Sequence, residues 1–147
     1  MADNTKARVL LVDDEINFVK TLSARLKMRN LRVITSTCSE DVVSKIEQQE
    51  YDAIVMDISS ADSIDSLETT RRIKKINPTI PIIALTPYDC IETCTKALTI
   101  GVCDFLEKPV QVGKLVQKIA AAKLRRKSLP PSQCPRPILP LVAPNFG

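Results

Sequence analysis

The 147-residue chain contains no histidine and no tryptophan. Without histidine, a Ser-His-Asp triad, a histidine-ligated zinc and a phosphohistidine carried by this chain are all excluded. Three phenylalanines and two tyrosines are the whole aromatic complement, so a core has to be built from Val, Ile, Leu and Ala. Glycine is scarce as well: those at 101, 113 and 147 form no loop of the kind that cradles a nucleotide phosphate. No apolar run approaches the roughly 18 residues needed to cross a bilayer. The start, MADNTKARVL, lacks the basic-then-apolar signature of a secretory signal. A cytoplasmic location without a membrane partner is therefore expected. The five cysteines (38, 90, 94, 103 and 134) are odd in number and show no CxxC spacing. They read as small, semi-buried, reduced thiols rather than as a zinc site or a disulfide framework.

The formal charge of +4 is unevenly placed. Through Ala122 there are 16 Lys and Arg against 17 Asp and Glu; beyond it come Lys123, Arg125, Arg126, Lys127 and Arg136 with no acid. The body is nearly neutral, and it lacks the basic stripe expected of a nucleic-acid reader. The KLRRK run reads as a solvated helix end that complements the helix dipole.

Strand and helix signals alternate along the chain. ARVLLV (7–12), LRVITST (31–37), YDAIVMD (51–57), IPIIALT (80–86) and VCDFLEK (102–108) are strand-like. Between them lie helical stretches. In 16–28, Phe18, Leu22 and Leu26 recur every four residues beside Val19. The stretch 39–49 opens on a Ser N-cap signal with an acidic first turn. The stretch 66–76 is stopped by Asn77-Pro78, and 89–100 ends at Gly101, where a left-handed cap is common. The last helix is 112–127. Continuous apolar strands in five β-α units predict a parallel sheet covered on both faces, hence an α/β, flavodoxin-like doubly wound (βα)5 fold with strand order 2-1-3-4-5. The expected domain is 5–127. Residues 128–147 hold six of the ten prolines and read as an extended or disordered tail, too short for a helix-turn-helix output domain.

The residues with chemical potential fall at strand C-terminal ends: Asp13 and Asp14 after the first, Asp57 after the third, Thr86 after the fourth and Lys108 after the fifth. Ligands of open α/β sheets bind outside that edge, where strand order reverses. Neighbouring strands lie roughly 4.8 Å apart, so a hydroxyl serves beside Asp57 while only a long side chain covers two spacings. Three carboxylates this close repel one another and take up protons unless positive charge lies between them. A hard cation such as Mg2+ meets that need, and Asp57 becomes a candidate nucleophile toward a phosphoryl group. Taken singly, Asp13 and Asp14 read equally as caps of the first helix, and Thr86 before Pro87 as turn chemistry. The joint arrival at one sheet edge sets the group apart.

VLLVDDE, VMD, IIALT and GVCDFLEKP together resemble the signature blocks of the bacterial two-component response-regulator receiver domain, of the single-domain, chemotaxis-regulator-like kind, over about residues 6–125. The resemblance implies that Asp57 accepts phosphate from the phosphohistidine of a sensor histidine kinase or phosphotransfer protein. It implies Mg2+ on Asp14, with help from Asp13, Asp57 and the backbone carbonyl of Ser59. Thr86 and Lys108 would contact the phosphoryl oxygens, and a cis Lys108–Pro109 bond would aim the lysine. A switch is implied too. Thr86 moves toward the phosphoryl group, Phe105 turns inward, and the surface of the fourth helix, fifth strand and fifth helix changes partners, with a downstream protein as target. Such a protein is a phosphoacceptor, at most slowly self-dephosphorylating, and a monomer or weak homodimer without a DNA-binding domain.

The sequence departs from the family pattern in SSADSIDSLE, where Ser60 and Ala61 replace a common Met-Pro pair and Ser66 a glycine, with one extra residue. Ser59 and Tyr88 occupy the positions where the family tunes phosphate lifetime. Phe105 lacks the hydroxyl of the tyrosine often found there. Two alternatives stay open at this point. One is a degenerate receiver acting as a phosphorylation-independent interaction module. The other is an aspartate-nucleophile phosphatase, against which stands Ser59 where that class carries its second aspartate.

Overall fold

The structure is a computed structural model and describes residues 6–58, 66–86 and 91–128. Its elements alternate: β1 (Arg8–Val12), α1 (Ile16–Met28), β2 (Arg32–Ser36), α2 (Ser39–Gln48), β3 (Ala53–Asp57), α3 (Ser66–Ile76), β4 (Ile82–Thr86), α4 (Ile91–Thr99), β5 (Asp104–Glu107) and α5 (Val112–Ser128). The strands are parallel in the order β2-β1-β3-β4-β5, as expected.

Side chains of a strand alternate between the two faces of its sheet, and both faces here are covered. Leu10, Val12, Ile54, Met56, Ile82 and Ala84 pack with Val42 and Ile46 of α2, Ile73 of α3 and Ala97 of α4. Val9, Leu11, Val55, Ile83 and Leu85 pack on the other side with Val19, Leu22 and Leu26 of α1 and with Leu115 and Ile119 of α5. Double coverage explains why β1, β3 and β4 read as unbroken apolar runs. Each Val, Leu, Ile or Met among them, fully buried, contributes about 1.5–3 kcal/mol over its exposed state.

Two helix ends fix the connections into the sheet. At the end of α4 the Gly101 N–H donates to Leu98 O and the Val102 N–H to Ala97 O. With Gly101 at φ 118°, this is the Schellman arrangement, sealed by buried Val102 and Ala97. A Cβ on Gly101 would stand 2.7 Å from Cε of Lys74, whose ammonium donates to Ile80 O at 2.8 Å. The same motif ends α1: Asn30 takes φ 69° while its N–H and that of Leu31 reach Lys27 O and Leu26 O.

Three local expectations are corrected. Ser39 is the first residue of α2 and not its cap; that place is Cys38, because the Ser39 hydroxyl is engaged by Thr69 of α3 at 2.7 Å. β5 is shorter than 102–108, since Val102 is used in the α4 cap and Lys108 turns into the Pro109 loop. Cys38 is exposed and Cys103 buried, both as free thiols. Ser59 and Tyr88, loop residues 59–65 and the tail 129–147 lie outside the described residues, as does the side chain of Ser66.

Candidate functional site

Register brings the acidic residues together. Val12 lies opposite Met56, so the next residues, Asp13 and Asp57, emerge side by side at the C-terminal edge. Carboxylate oxygens of Asp13, Asp14 and Asp57 all lie within 4.8 Å of one another. Asp13 is only 2% exposed, whereas Asp14 faces solvent. Neither aspartate is the cap of α1. Glu15 holds that place, and Asp13 Oδ1 accepts the Glu15 N–H at 3.0 Å. Its second oxygen is thereby left to face the cup.

Lys108 reaches in from the far side of the sheet. Thr86 lies opposite Glu107, the Lys108 N–H donates to Thr86 O at 2.7 Å, and the Lys108–Pro109 peptide is cis. The ammonium then bridges Asp13 Oδ2 and Asp57 Oδ1, each at 3.1 Å. Thr86 ends β4 as a buried residue beside this edge. Phe105 is half-buried on β5 against the α2–α4 side of the sheet. It lines a groove of about 630 Å³ together with Glu107, Pro109, Gln111, Lys114 and Lys118.

Among the described residues the ion pairs of the cup set one ammonium against a cluster of three carboxylates. Burial pushes the Asp13 carboxyl above its ordinary range, against the opposing Glu15 N–H, and the charge of Asp57 pushes the same way. Burial works to lower the Lys108 ammonium, yet the hydrogen bond to Asp13 and the charge of Asp57 hold it above its ordinary value. The donors are all carboxylate oxygens, and buried Asp13 remains under-neutralised. Such a set suits a hard, oxygen-seeking cation, which would add to the neutralisation that Lys108 provides.

The sequence reading missed Phe18. It counts there only as a core position of α1, but the Lys108 ammonium lies 4.3 Å from the centroid of its ring. One hint was available: Phe18 is the third residue of a helix that starts directly after the aspartates, and helical side chains lean toward the N-terminus.

A doubly wound sheet with an acidic cup and a lysine at its C-terminal edge defines a small signalling class of α/β proteins. Residues 9–120 match the response regulator receiver domain family, and the chain belongs to it. It is thus a receiver domain of a two-component system, and its aspartate cluster fits Mg2+ and a phosphoaspartate. The transcriptional regulatory protein ZraR of Klebsiella oxytoca is 32% identical over 114 residues, covering 78% of this chain and 26% of ZraR. The chain therefore spans about a quarter of the length of that relative. Among solved structures, the receiver domain of NtrX from Brucella abortus superposes with a TM-score of 0.73 at 26% identity, covering 79% of this chain and 98% of that one. A receiver domain from Clostridium thermocellum gives 0.75 at 25% identity, with 82% and 97% covered. Among the described residues no helix is long and apolar enough to cross a membrane.

Proposed function

We propose that this receiver domain is a working phosphoacceptor, with Asp57 as the residue that takes the phosphoryl group from a sensor histidine kinase or phosphotransfer protein. The reading rests on one observation above all: three carboxylates within 4.8 Å, two of them bridged by Lys108. An oxygen of Asp57 attacks the phosphorus, the P–N bond to the donor imidazole breaks, and its electron pair leaves with the imidazole nitrogen. Asp13, Asp14, Asp57 and the carbonyl of Ser59 would hold Mg2+, which supplies positive charge against the phosphoryl oxygens. Lys108 lets go of Asp57 and turns its ammonium to a phosphoryl oxygen, and the Thr86 hydroxyl donates to another.

The output is a change of surface around α4, β5 and α5. Phe105, half-buried beside its groove, is the side chain that changes position; the cis bond to Pro109 aims Lys108, and Tyr88 would tune the lifetime of the phosphate. The partner is a protein, and the chain acts as a monomer or weak homodimer in the cytoplasm. Residues 5–127 form the receiver unit and 128–147 a proline-rich extension. Incubation with acetyl phosphate and Mg2+ should add one acid-labile phosphoryl group, detected by mass spectrometry. Asp57→Asn should abolish it. Persistent labelling of the variant rejects Asp57 as acceptor, and absence of labelling in the wild type favours a phosphorylation-independent module.

A further inference from the structure

Lys108 has two incompatible duties. Its ammonium bridges Asp13 and Asp57 at 3.1 Å each, on oxygens that a divalent cation would also seek. A divalent cation that claims those oxygens would compete with the ammonium for them, and its like charge would weaken the hold of the cup on the lysine. Lysine has a flexible four-carbon stem, and this side chain is already 22% exposed. A contact for which the cation does not compete would then help to keep it at the cup.

The face of Phe18 meets that need. Its centroid lies 4.3 Å from Lys108 Nζ, inside the roughly 6 Å over which a ring quadrupole attracts a cation. The ring is anchored on the third residue of α1 and packs against the cluster formed with α5. A ring carries no formal charge, so a metal ion does not compete for it as it does for the carboxylates. We propose that Phe18 is a positioning residue: its ring face keeps the Lys108 ammonium at the cup when a cation takes the carboxylates. This rests on the phosphoacceptor reading for its purpose, but not for its measurement.

The side-chain resonances of Lys108 test it first. Ring current should shift its ε-methylene protons upfield in the wild type, both metal-free and with saturating Mg2+, which is diamagnetic. Phe18→Met should lose the shift and Phe18→Tyr should keep it. Pentafluorophenylalanine at position 18 keeps the shape but reverses the ring's charge pattern, and it should release the lysine on Mg2+ addition; it also serves if the methionine variant fails to fold. Where the wild type accepts phosphate, both the methionine and the fluorinated variants should label about twofold to fivefold more slowly. Their Mg2+ affinity should stay within about twofold and tyrosine should restore the rate. A wild-type shift that vanishes with Mg2+, or a fluorinated protein indistinguishable from wild type, overturns the proposal. If the wild type takes no label, the phosphoacceptor reading fails by itself while the resonance shift still decides the role of Phe18.

Discussion

Asp52 and Asp57 stand at opposite ends of β3, and their surroundings differ in the supply of positive charge. Asp52 Oδ2 accepts the Arg8 N–H at 2.8 Å and has the Lys123 ammonium at 3.8 Å, while the Arg8 guanidinium is turned to Glu50 O. One carboxylate there has one backbone donor and one cation. At the other end Asp57 shares a single ammonium with Asp13, and Asp14 adds a third carboxylate. The first arrangement stitches a strand entry to its neighbours. Among the described residues the second has fewer cations than carboxylates, and that imbalance separates the two ends of the strand better than residue type does.

Removing each lysine should separate the two ends most clearly. Lys108→Met takes the ammonium away from Asp13, 2% exposed, and from Asp57. Metal-free stability should fall by about 2–3 kcal/mol, and Mg2+ should recover much of the loss. Lys123→Met should cost less than about 1 kcal/mol, because Asp52 keeps its backbone donor and partial hydration. Urea titrations of both variants, with and without Mg2+, measure the difference. Equal losses, or no recovery with Mg2+, would break the contrast.

Asp13→Asn sharpens the same point with a smaller effect on stability. The Asp13 carboxyl is raised from 3.8, by burial first and by Asp57 as well. The folded state therefore favours its protonated form. The stability tied to Asp13 is fully present below 3.8 and is lost as pH rises through the raised folded value. The metal-free variant should lack that decline and be at least as stable as wild type at neutral pH. Its Mg2+ affinity should drop about tenfold or more. Urea midpoints across pH without metal, and a calorimetric Mg2+ titration, read the two effects; a variant less stable than wild type at neutral pH would contradict the charge imbalance.

Much of this molecule is legible before any coordinates. Strands covered on both faces have to be apolar throughout, and parallel topology sends every strand's C-terminal end to one edge, so Asp13, Asp14, Asp57, Thr86 and Lys108 announce themselves together. What stays hidden depends on contacts distant in sequence. Thr69 captures the hydroxyl of Ser39 that looked like a cap. Val102, apolar enough for a strand, seals the end of α4. Phe18 meets a lysine 90 positions away, and no local pattern encodes that meeting. Nor does spacing reveal that one ammonium is divided between two carboxylates.

The least effect is expected at Asp41, and it should run in the opposite direction with pH. Its Oδ2 accepts from Lys45 Nζ at 2.7 Å and from Ser36 Oγ at 2.8 Å. The Lys45 bond first, then that of Ser36, holds the carboxyl below its ordinary 3.8. Its stabilisation is present above 3.8 and is lost as pH falls through the lowered folded value. The pair is an i,i+4 contact with the Asp41 side chain 41% exposed, so solvent screens it heavily. Asp41→Asn keeps an acceptor for Ser36 and removes only the charge, and it should cost about 0.3–0.5 kcal/mol at neutral pH and almost nothing in strong acid. A cost that persists unchanged in acid would mean that hydrogen bonding or packing, and not charge, sets the worth of Asp41. The contrast with Asp13 follows from burial first and neighbouring charge second: Asp41, partly exposed and hydrogen-bonded to Lys45 and Ser36, gains from ionising in the folded state, and Asp13, buried and facing Asp57, loses.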